Sequence, residues 1–520
     1  MTVYAVCKAR LPQLLAVTLF TFFFISGIAA YDDFGISWDE CYSRDLTGKV
    51  STQFIKTLNA TPYLENTEKY HGPLFENLLI LAEDISGFTD VRQIYLLRHL
   101  MTFLLFFGAC FVFYMLVHTC LQSHWMALAA CGMLILSPRI FADSFYNTKD
   151  LPMLSFYIFC MCTMLRVIHY SSIKWIVVHA IVCGALMAIR INGVIVPLLT
   201  IAVLVYKVFA YKMHFYRLLK LSFIYILAVA IAVTLFWPIL WLNPPEHFVR
   251  AFLEMVRYHW SETVVFRNAI YPAQNLPWYY LPWWMAISIP PLYMLLALIG
   301  FAYTLSLLIY KKFCLNHHEL GTVTLHAMLL LPLTAVIILQ SVIYDGWRHM
   351  YFVYPSLILM ATFGLSKLLN DLKSRIIAKA TLLTSLLATY TAMVIFLFIN
   401  HPHQMVYFNV LASIKQYEAP FQYEMDYWGL SYRNALEFIV RSDKRDHIKI
   451  AVANQPGINN WNMLPIQDRS RLQVSDTLSE YDYYLTNYRF ANRKPEGLIE
   501  IYTIKSDGIT IAGVYKSGVK

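Results

Sequence analysis

Charge is scarce in this chain. Asp, Glu, Lys and Arg make up 14% of its 520 residues, where a soluble domain carries roughly a quarter. Hydrophobic residues make up 58%, which argues against a water-soluble globular fold and for a polytopic membrane protein. The sequence has no CxxC pair, and six of its nine cysteines (Cys110, Cys120, Cys131, Cys160, Cys162, Cys183) lie inside apolar runs. A disulfide framework and a thiolate metal site are therefore poor readings. Internal repeats at large periods are missing, and prolines within the apolar runs are few (Pro197, Pro332), which speaks against a repeat-built transporter. The net charge of +9 is spread over short basic clusters between apolar runs, a topology signal rather than a nucleic-acid footprint.

What the chain does have is about eleven apolar runs, near 11–30, 95–117, 123–141, 151–169, 174–189, 193–211, 218–241, 282–309, 323–343, 350–369 and 377–399. The first is too long for a signal peptide's apolar region, and Ile28-Ala29-Ala30 is a poor cleavage site, so it reads as a retained anchor. With the N-terminus inside, Lys8/Arg10, Arg166/Lys174, Lys207/Lys212/Arg217/Lys220, Lys311/Lys312 and Lys367/Lys373/Arg375 all fall inside. The loops 31–94 and 242–281 and everything after His401 then fall outside. Two outside segments have helical periodicity. In 74–85, Leu74, Leu78, Leu81 and Ile85 share a face that excludes Glu76 and Glu83. In 243–259, Asn243 can cap, Pro244 suits the first turn, and Phe248, Phe252 and Met255 oppose Arg250, Glu254 and Arg257. Surface helices of a folded loop and helices lying on the membrane both fit these patterns. After His401, a strand at 448–453, a helix near 431–441 and a hairpin joining 499–504 to 509–515 through Ser506-Asp507-Gly508 predict a small α/β unit. The expected fold is a polytopic α-helical membrane domain over 1–400, with about eleven transmembrane helices, and a soluble α/β domain over 401–520.

Directly behind the first apolar run, the segment Tyr31 to Glu40 holds four carboxylates: Asp32, Asp33, Asp39 and Glu40. Asp32, Asp33 and Asp45 read as solvated loop charges or caps, whereas Trp38 and Cys41 argue for partial burial of Asp39 and Glu40. The turn after the third run brings Asp143, Lys149 and Asp150 to the same face. Arg98, Arg190 and Arg348 lie at outside ends of other runs. Each arginine also has a plainer reading, as a side chain snorkelling to headgroups or, for Arg348, anchoring an aromatic belt with Trp347 and Tyr351. Guanidinium groups bind phosphate bidentately and a carboxylate can take a proton from a hydroxyl, so together the set predicts a lipid phosphate beside a base.

An ordered set of motifs runs through the chain: Trp38-Asp39-Glu40-Cys41-Tyr42, Tyr70-His71-Gly72-Pro73-Leu74, Leu97-Arg98 and Asn147-Thr148-Lys149-Asp150-Leu151-Pro152. It continues with Asp345-Gly346-Trp347-Arg348-His349-Met350-Tyr351, His401 to Asn409 and Asp426 to Tyr432. The set resembles the membrane-embedded C-type (GT-C) glycosyltransferases. Within them it is similar to the protein O-mannosyltransferase and aminoarabinose transferase group, and to bacterial phospholipid-carrier-dependent glycosyltransferases. The resemblance implies an inverting transfer from a polyprenyl-phosphate-linked sugar to an acceptor hydroxyl on a lipid, glycan or protein. It places this at the periplasmic face of a bacterial inner membrane, with no cofactor, metal or nucleic acid. It implies Asp39 as base, Glu40 and Asp150 as supporting acids, and Arg348 on the carrier phosphate, with Lys149, Arg190, His71 and Arg98 as further phosphate contacts. Relatives often have Lys where His71 stands, and Lys69 is the nearest substitute. A lipid-linked sugar flippase and a non-catalytic assembly subunit are the alternatives from other classes.

Overall fold

The computed structural model describes residues 3–256, 258, 260, 262–414, 422–491 and 497–517. Arg257 and the side chain of Lys8 lie outside the described residues. Among those described, nine helices are long and apolar enough to cross a bilayer: Arg10–Ala30, Val91–Leu121, Asp150–Tyr170, Ile191–Tyr211, Phe215–Phe236, Pro291–Lys311, His317–Ile338, Arg348–Asp371 and Ile376–Ile399. They expose large apolar side chains such as Phe209, Phe223, Ile231, Leu298 and Ile395, as lipid-facing helices do. The protein is an integral multi-pass membrane protein.

Three of the eleven expected runs take other forms. The 123–141 run is broken: His124–Ile135 and Pro138–Tyr146 meet at 66°. Pro138 opens the second helix, where its missing N–H leaves no bond unmade. Ser137 holds the corner, donating to Met133 O (2.7 Å) and sharing a 2.6 Å hydrogen bond with the Tyr354 hydroxyl. The 174–189 run becomes a helix of 15 residues, Ile173–Met187, short for a ~30 Å core. The 282–309 run also splits, into Tyr280–Ser288 and Pro291–Lys311, at Pro290-Pro291. Hydropathy counts apolar residues and carries no information on where the backbone turns.

Two close approaches set the frame of the site. A Cβ on Gly300 would overlap Met360 O, and one on Gly364 would overlap Leu296 O, so Pro291–Lys311 and Tyr354–Asp371 cross backbone to backbone. Small-residue crossings of this kind bring dispersion contact that lipid cannot match. A Cβ on Gly72 would overlap Ala188 O, and Leu74 N–H donates to that same carbonyl region at 3.1 Å. This pins His71 beside Arg190.

The helix Leu74–Ser86 has its amphipathy turned outward. Leu78, Leu81 and Ile85 (77%) are exposed, while Glu76 and Glu83 are buried. In Pro244–Val256, Val249 and Leu253 are exposed and His247 and Ala251 are buried. An apolar stripe facing away from the protein is what a helix resting in the membrane interface presents.

Among the described residues, seven strands follow in chain order. β1 (Thr263–Phe266) and β2 (Ala269–Pro272) form an antiparallel pair. β3 (Ile448–Val452), β4 (Leu472–Ser475), β5 (Tyr483–Thr486), β6 (Leu498–Ser506) and β7 (Ile509–Ser517) form one sheet in the order β4-β3-β5-β7-β6. β3 runs parallel to β4 and β5, and β7 antiparallel to β5 and β6. The helix Ser431–Ser442 packs on β6 and β7. The β6–β7 turn holds Asp507 and Gly508 at φ 50° and 75°, the left-handed pair that a tight hairpin requires. This C-terminal unit grips the segment carrying Asp39. Asn460 accepts from Ile36 N–H and donates to Ile36 O (both 3.0 Å), Trp38 N–H donates to Trp428 O (2.9 Å), and Arg433 donates to Asp32 O (2.5 Å) and Phe34 O (2.8 Å).

Candidate active site

Asp39 sits in the first turn of a short helix, Trp38–Tyr42. The next residue makes that turn: Glu40 Oε2 accepts from Ser37 N–H at 2.7 Å, and Glu40 Oε1 pairs with His99 Nε2 at 3.0 Å. Glu40 is buried and does not line the cavity described below. With Glu40 turned inward, the neighbouring side chain of Asp39 points the other way, 28% exposed to an open space.

Arg348 organises what lies beside it. Its Nη1 donates to Asp39 Oδ2 (3.2 Å) and Asp150 Oδ2 (3.4 Å), and its Nε and Nη2 donate to Asp345 Oδ2 (3.2 and 3.1 Å). The guanidinium lies 4.6 Å from the Trp428 ring centre and 5.0 Å from that of Tyr344. Arg190 Nη2 meets Asp150 Oδ1 at 2.5 Å, and Asn147 Nδ2 links Asp150 to Asp143, 3.0 Å to each. Burial alone raises the Asp39 carboxyl. The Arg348 guanidinium, then Lys149, Arg190 and Arg489, outweigh burial and pull it down to about 2.

These groups border a cavity of about 640 Å³ with two unlike ends. Asp39, Lys149, Arg190, Arg348 and Arg489 line the polar end. Ile195, Leu198, Pro332, Val336, Leu339 and Phe252 line the apolar one. Among the described residues the Lys149 ammonium makes no ion pair, so it is the cation with the most to gain from an anion. His71 lines the cavity too, but its Nδ1 pairs with Glu68 Oε2 at 2.7 Å, and burial holds its pKa below the usual range. It is a neutral hydrogen-bonding group near pH 7. Lys69 donates to Leu64 O at 2.6 Å and does not line the cavity.

Of the residues expected to meet here, Asp39, Lys149, Asp150, Arg190, Arg348 and His71 do. Arg98 does not. It is wholly buried, with Nη2 on Glu76 (2.5 Å) and Nη1 on Glu83 (2.8 Å), and serves the inward face of Leu74–Ser86. Hydropathy places an arginine at a helix end but does not say which acids neutralise it. Three contributors escaped sequence reasoning. Asp345 lay inside a quoted motif with no role, and its turn signal was the following Gly346. Trp428 lay inside the quoted Asp426-to-Tyr432 motif with no role, and Arg489 comes from a stretch of the C-terminal unit where nothing local marks it.

The acids fit a cationic anion site better than a metal site. Asp150 is taken up by Arg190, Arg348 and Asn147, and Asp345 by Arg348 and Arg489. Among the described residues no three His, Cys, Asp or Glu side chains converge as a ligand set.

Fold and site together define a multi-pass membrane protein with a buried acid–guanidinium centre under a small α/β unit. No family model and no curated protein matches the chain. Among solved structures it is similar to the oligosaccharyltransferase of Archaeoglobus fulgidus in the apo form, at 13% identity and TM-score 0.47, over 84% of this chain and 60% of that one. A second similar structure is AglB from the same organism with an inhibitory peptide and a dolichol-phosphate, at 11% identity and TM-score 0.44, over 88% and 66%. The mycobacterial arabinofuranosyltransferase AftD aligns at 12% identity and TM-score 0.41, over 87% and 36%. The chain thus spans about 60% of the archaeal apo enzyme's length.

Proposed function

We propose that the protein is a glycosyltransferase that moves a sugar from a polyprenyl-phosphate carrier to an acceptor hydroxyl, with inversion. The observation that carries this reading is the two-ended cavity. An ionised carboxylate, an ammonium that makes no ion pair among the described residues, and guanidinium groups border one end, and apolar side chains line the other. A prenyl phosphate has that same polarity.

In this reading Asp39 accepts the acceptor's hydroxyl proton. The acceptor oxygen bonds to the anomeric carbon as that carbon's bond to the phosphate oxygen breaks, and the electron pair leaves with the phosphate. The donor phosphodiester is a monoanion and the departing monoester a dianion. Lys149, Arg348 and Arg190 stabilise the added charge, Asp150 holds Arg190 and Arg348 in place, and His71, whose one N–H is spent on Glu68, lines the pocket without donating to the phosphate. Glu40 supports Asp39 by capping its helix. Arg348 keeps Asp39 ionised in the empty site. Phosphate arriving beside Arg348 offsets that pull, so the carboxylate becomes a stronger base as the donor docks. No metal is needed in this scheme. We assign the reaction to the periplasmic face of a bacterial inner membrane; the basic loops of the sequence, read as lying on the opposite side, support that orientation. The acceptor is a lipid, glycan or protein hydroxyl.

The test is transfer of label from a radiolabelled polyprenyl-phosphate-sugar pool in membranes containing wild type or Asp39→Asn. The substitution keeps shape and hydrogen bonding and removes the base, so transfer falls by about 10²- to 10⁴-fold. Equal transfer by both proteins rules out Asp39 as base.

A further inference from the structure

The membrane site borrows side chains from the C-terminal unit. After β5 ends at Thr486, residues 487–490 leave the sheet, and Arg489 and Phe490 reach the cavity wall. Two residues of this turn hold positive φ without being glycine, Tyr488 at 55° and Phe490 at 58°. Such backbone persists where surrounding contacts over-determine it, and it gathers at functional sites. Asn487 fastens the turn, donating through Nδ2 to Asp426 O and accepting at Oδ1 from Asn454 Nδ2, both at 2.8 Å.

Between the strained residues stands Arg489, 8% exposed. Its Nη2 donates to Asp345 Oδ1 at 3.0 Å, its Nη1 donates to Tyr427 O, and its guanidinium lies 4.6 Å from the Trp38 ring centre. Among the described residues its buried Nε has no hydrogen-bond partner. Asp345 uses its other oxygen for Nε and Nη2 of Arg348, whose Nη1 is thereby directed to Asp39. A continuous chain, Arg489–Asp345–Arg348–Asp39, runs from the soluble unit to the carboxylate in the cavity.

We propose that Arg489 is a positioning residue of the membrane site. By holding Asp345 Oδ1 it fixes the rotation of that carboxylate, and so the direction in which Arg348 presents Nη1 to Asp39 and the phosphate. Docking of the C-terminal unit completes the site. The inference rests on the phosphate-carrier reading above. It assigns the unit a role in assembling the phosphate pocket, separate from any contact it makes with an acceptor.

The experiment measures binding of radiolabelled undecaprenyl phosphate to full-length protein in detergent micelles. It compares wild type, Arg489→Met, Arg489→Lys, Arg348→Met and the double variant Arg348→Met/Arg489→Met. Arg489→Met binds about tenfold more weakly. Arg489→Lys recovers most of the loss, because an ammonium still donates to Asp345 Oδ1. The double variant is no weaker than Arg348→Met alone, since Arg489 acts through Arg348. Arg489→Gln keeps an amide donor and much of the buried volume, and is read the same way if the methionine variant does not fold. Wild-type affinity in Arg489→Met, or a full additional loss in the double variant, overturns the proposal while leaving the carrier reading in place. Wild-type protein that binds no probe removes the carrier reading and this proposal with it.

Discussion

Arg98→Met separates a structural arginine from a phosphate ligand. The Arg98 side chain is fully buried, 2.5 Å from Glu76 and 2.8 Å from Glu83. Glu83 keeps a second cation when Arg98 is removed, because Arg44 reaches it at 2.8 Å. Among the described residues Glu76 keeps only the Thr148 hydroxyl, at 2.5 Å, and becomes a buried carboxylate with no counter-charge there. Breaking one partner out of a buried pair costs about 3–5 kcal/mol. With Glu83 still paired the loss falls near the lower end, about 3 kcal/mol, or roughly 150-fold in the folded-to-unfolded ratio. Adding Glu76→Gln removes the stranded charge and recovers most of the loss. The assay heats detergent-solubilised full-length protein and follows the remaining monodisperse fraction by size exclusion. Arg98→Met loses that fraction at a lower temperature, the double variant recovers, and the folded variant binds undecaprenyl phosphate as wild type does. An Arg98→Met protein with wild-type heat resistance and weakened phosphate binding refutes this reasoning and returns Arg98 to the site.

The remaining predictions concern pH and metals. The Asp39 carboxyl lies below its ordinary value, at about 2, so it stays ionised across the working range, and its stabilising contribution is lost only as pH falls through that value. kcat/KM, which reports the free protein, therefore shows no acid limb from Asp39 between pH 8 and 5, whereas the acid limb of kcat lies higher because bound phosphate offsets Arg348. A kcat/KM limb near pH 6 that disappears in Asp39→Asn contradicts this ordering. Incubation with EDTA followed by buffer exchange leaves transfer from the labelled pool unchanged, and recovery only on adding a divalent ion refutes the metal-free scheme.

The membrane part of the fold was legible because crossing a bilayer requires long apolar helices, and nothing else in a sequence imitates nine of them. What was not legible were changes of direction: the corner at Ser137-Pro138 and the short helix Ile173–Met187 have the composition of ordinary spans. The site divides along a similar line. Asp39, Lys149, Asp150, Arg190 and Arg348 were visible as rare charges at the ends of apolar runs. Burial chose between Asp39 and Glu40, adjacent and chemically alike, and only the fold shows that Glu40 faces His99. Arg489 was invisible for a different reason. It meets Asp345, 144 positions away, from a soluble unit where arginines are unremarkable.

The glycine crossing of Pro291–Lys311 with Tyr354–Asp371 bears on how the cavity would admit the proposed carrier. Arg348 begins the span that this crossing locks, and that span is buried over most of its length. Apolar lining of the cavity comes instead from Ile195, Leu198, Val336 and Leu339, on or next to helices outside that crossing, and of these Leu198 and Leu339 are exposed. The cavity is thus a vice with one fixed jaw. In the proposed reading, displacement needed to admit an isoprenoid tail falls on the other, apolar jaw, and the charged end keeps its geometry. In that reading, carriers of different chain length then meet Asp39 and Arg348 in the same register.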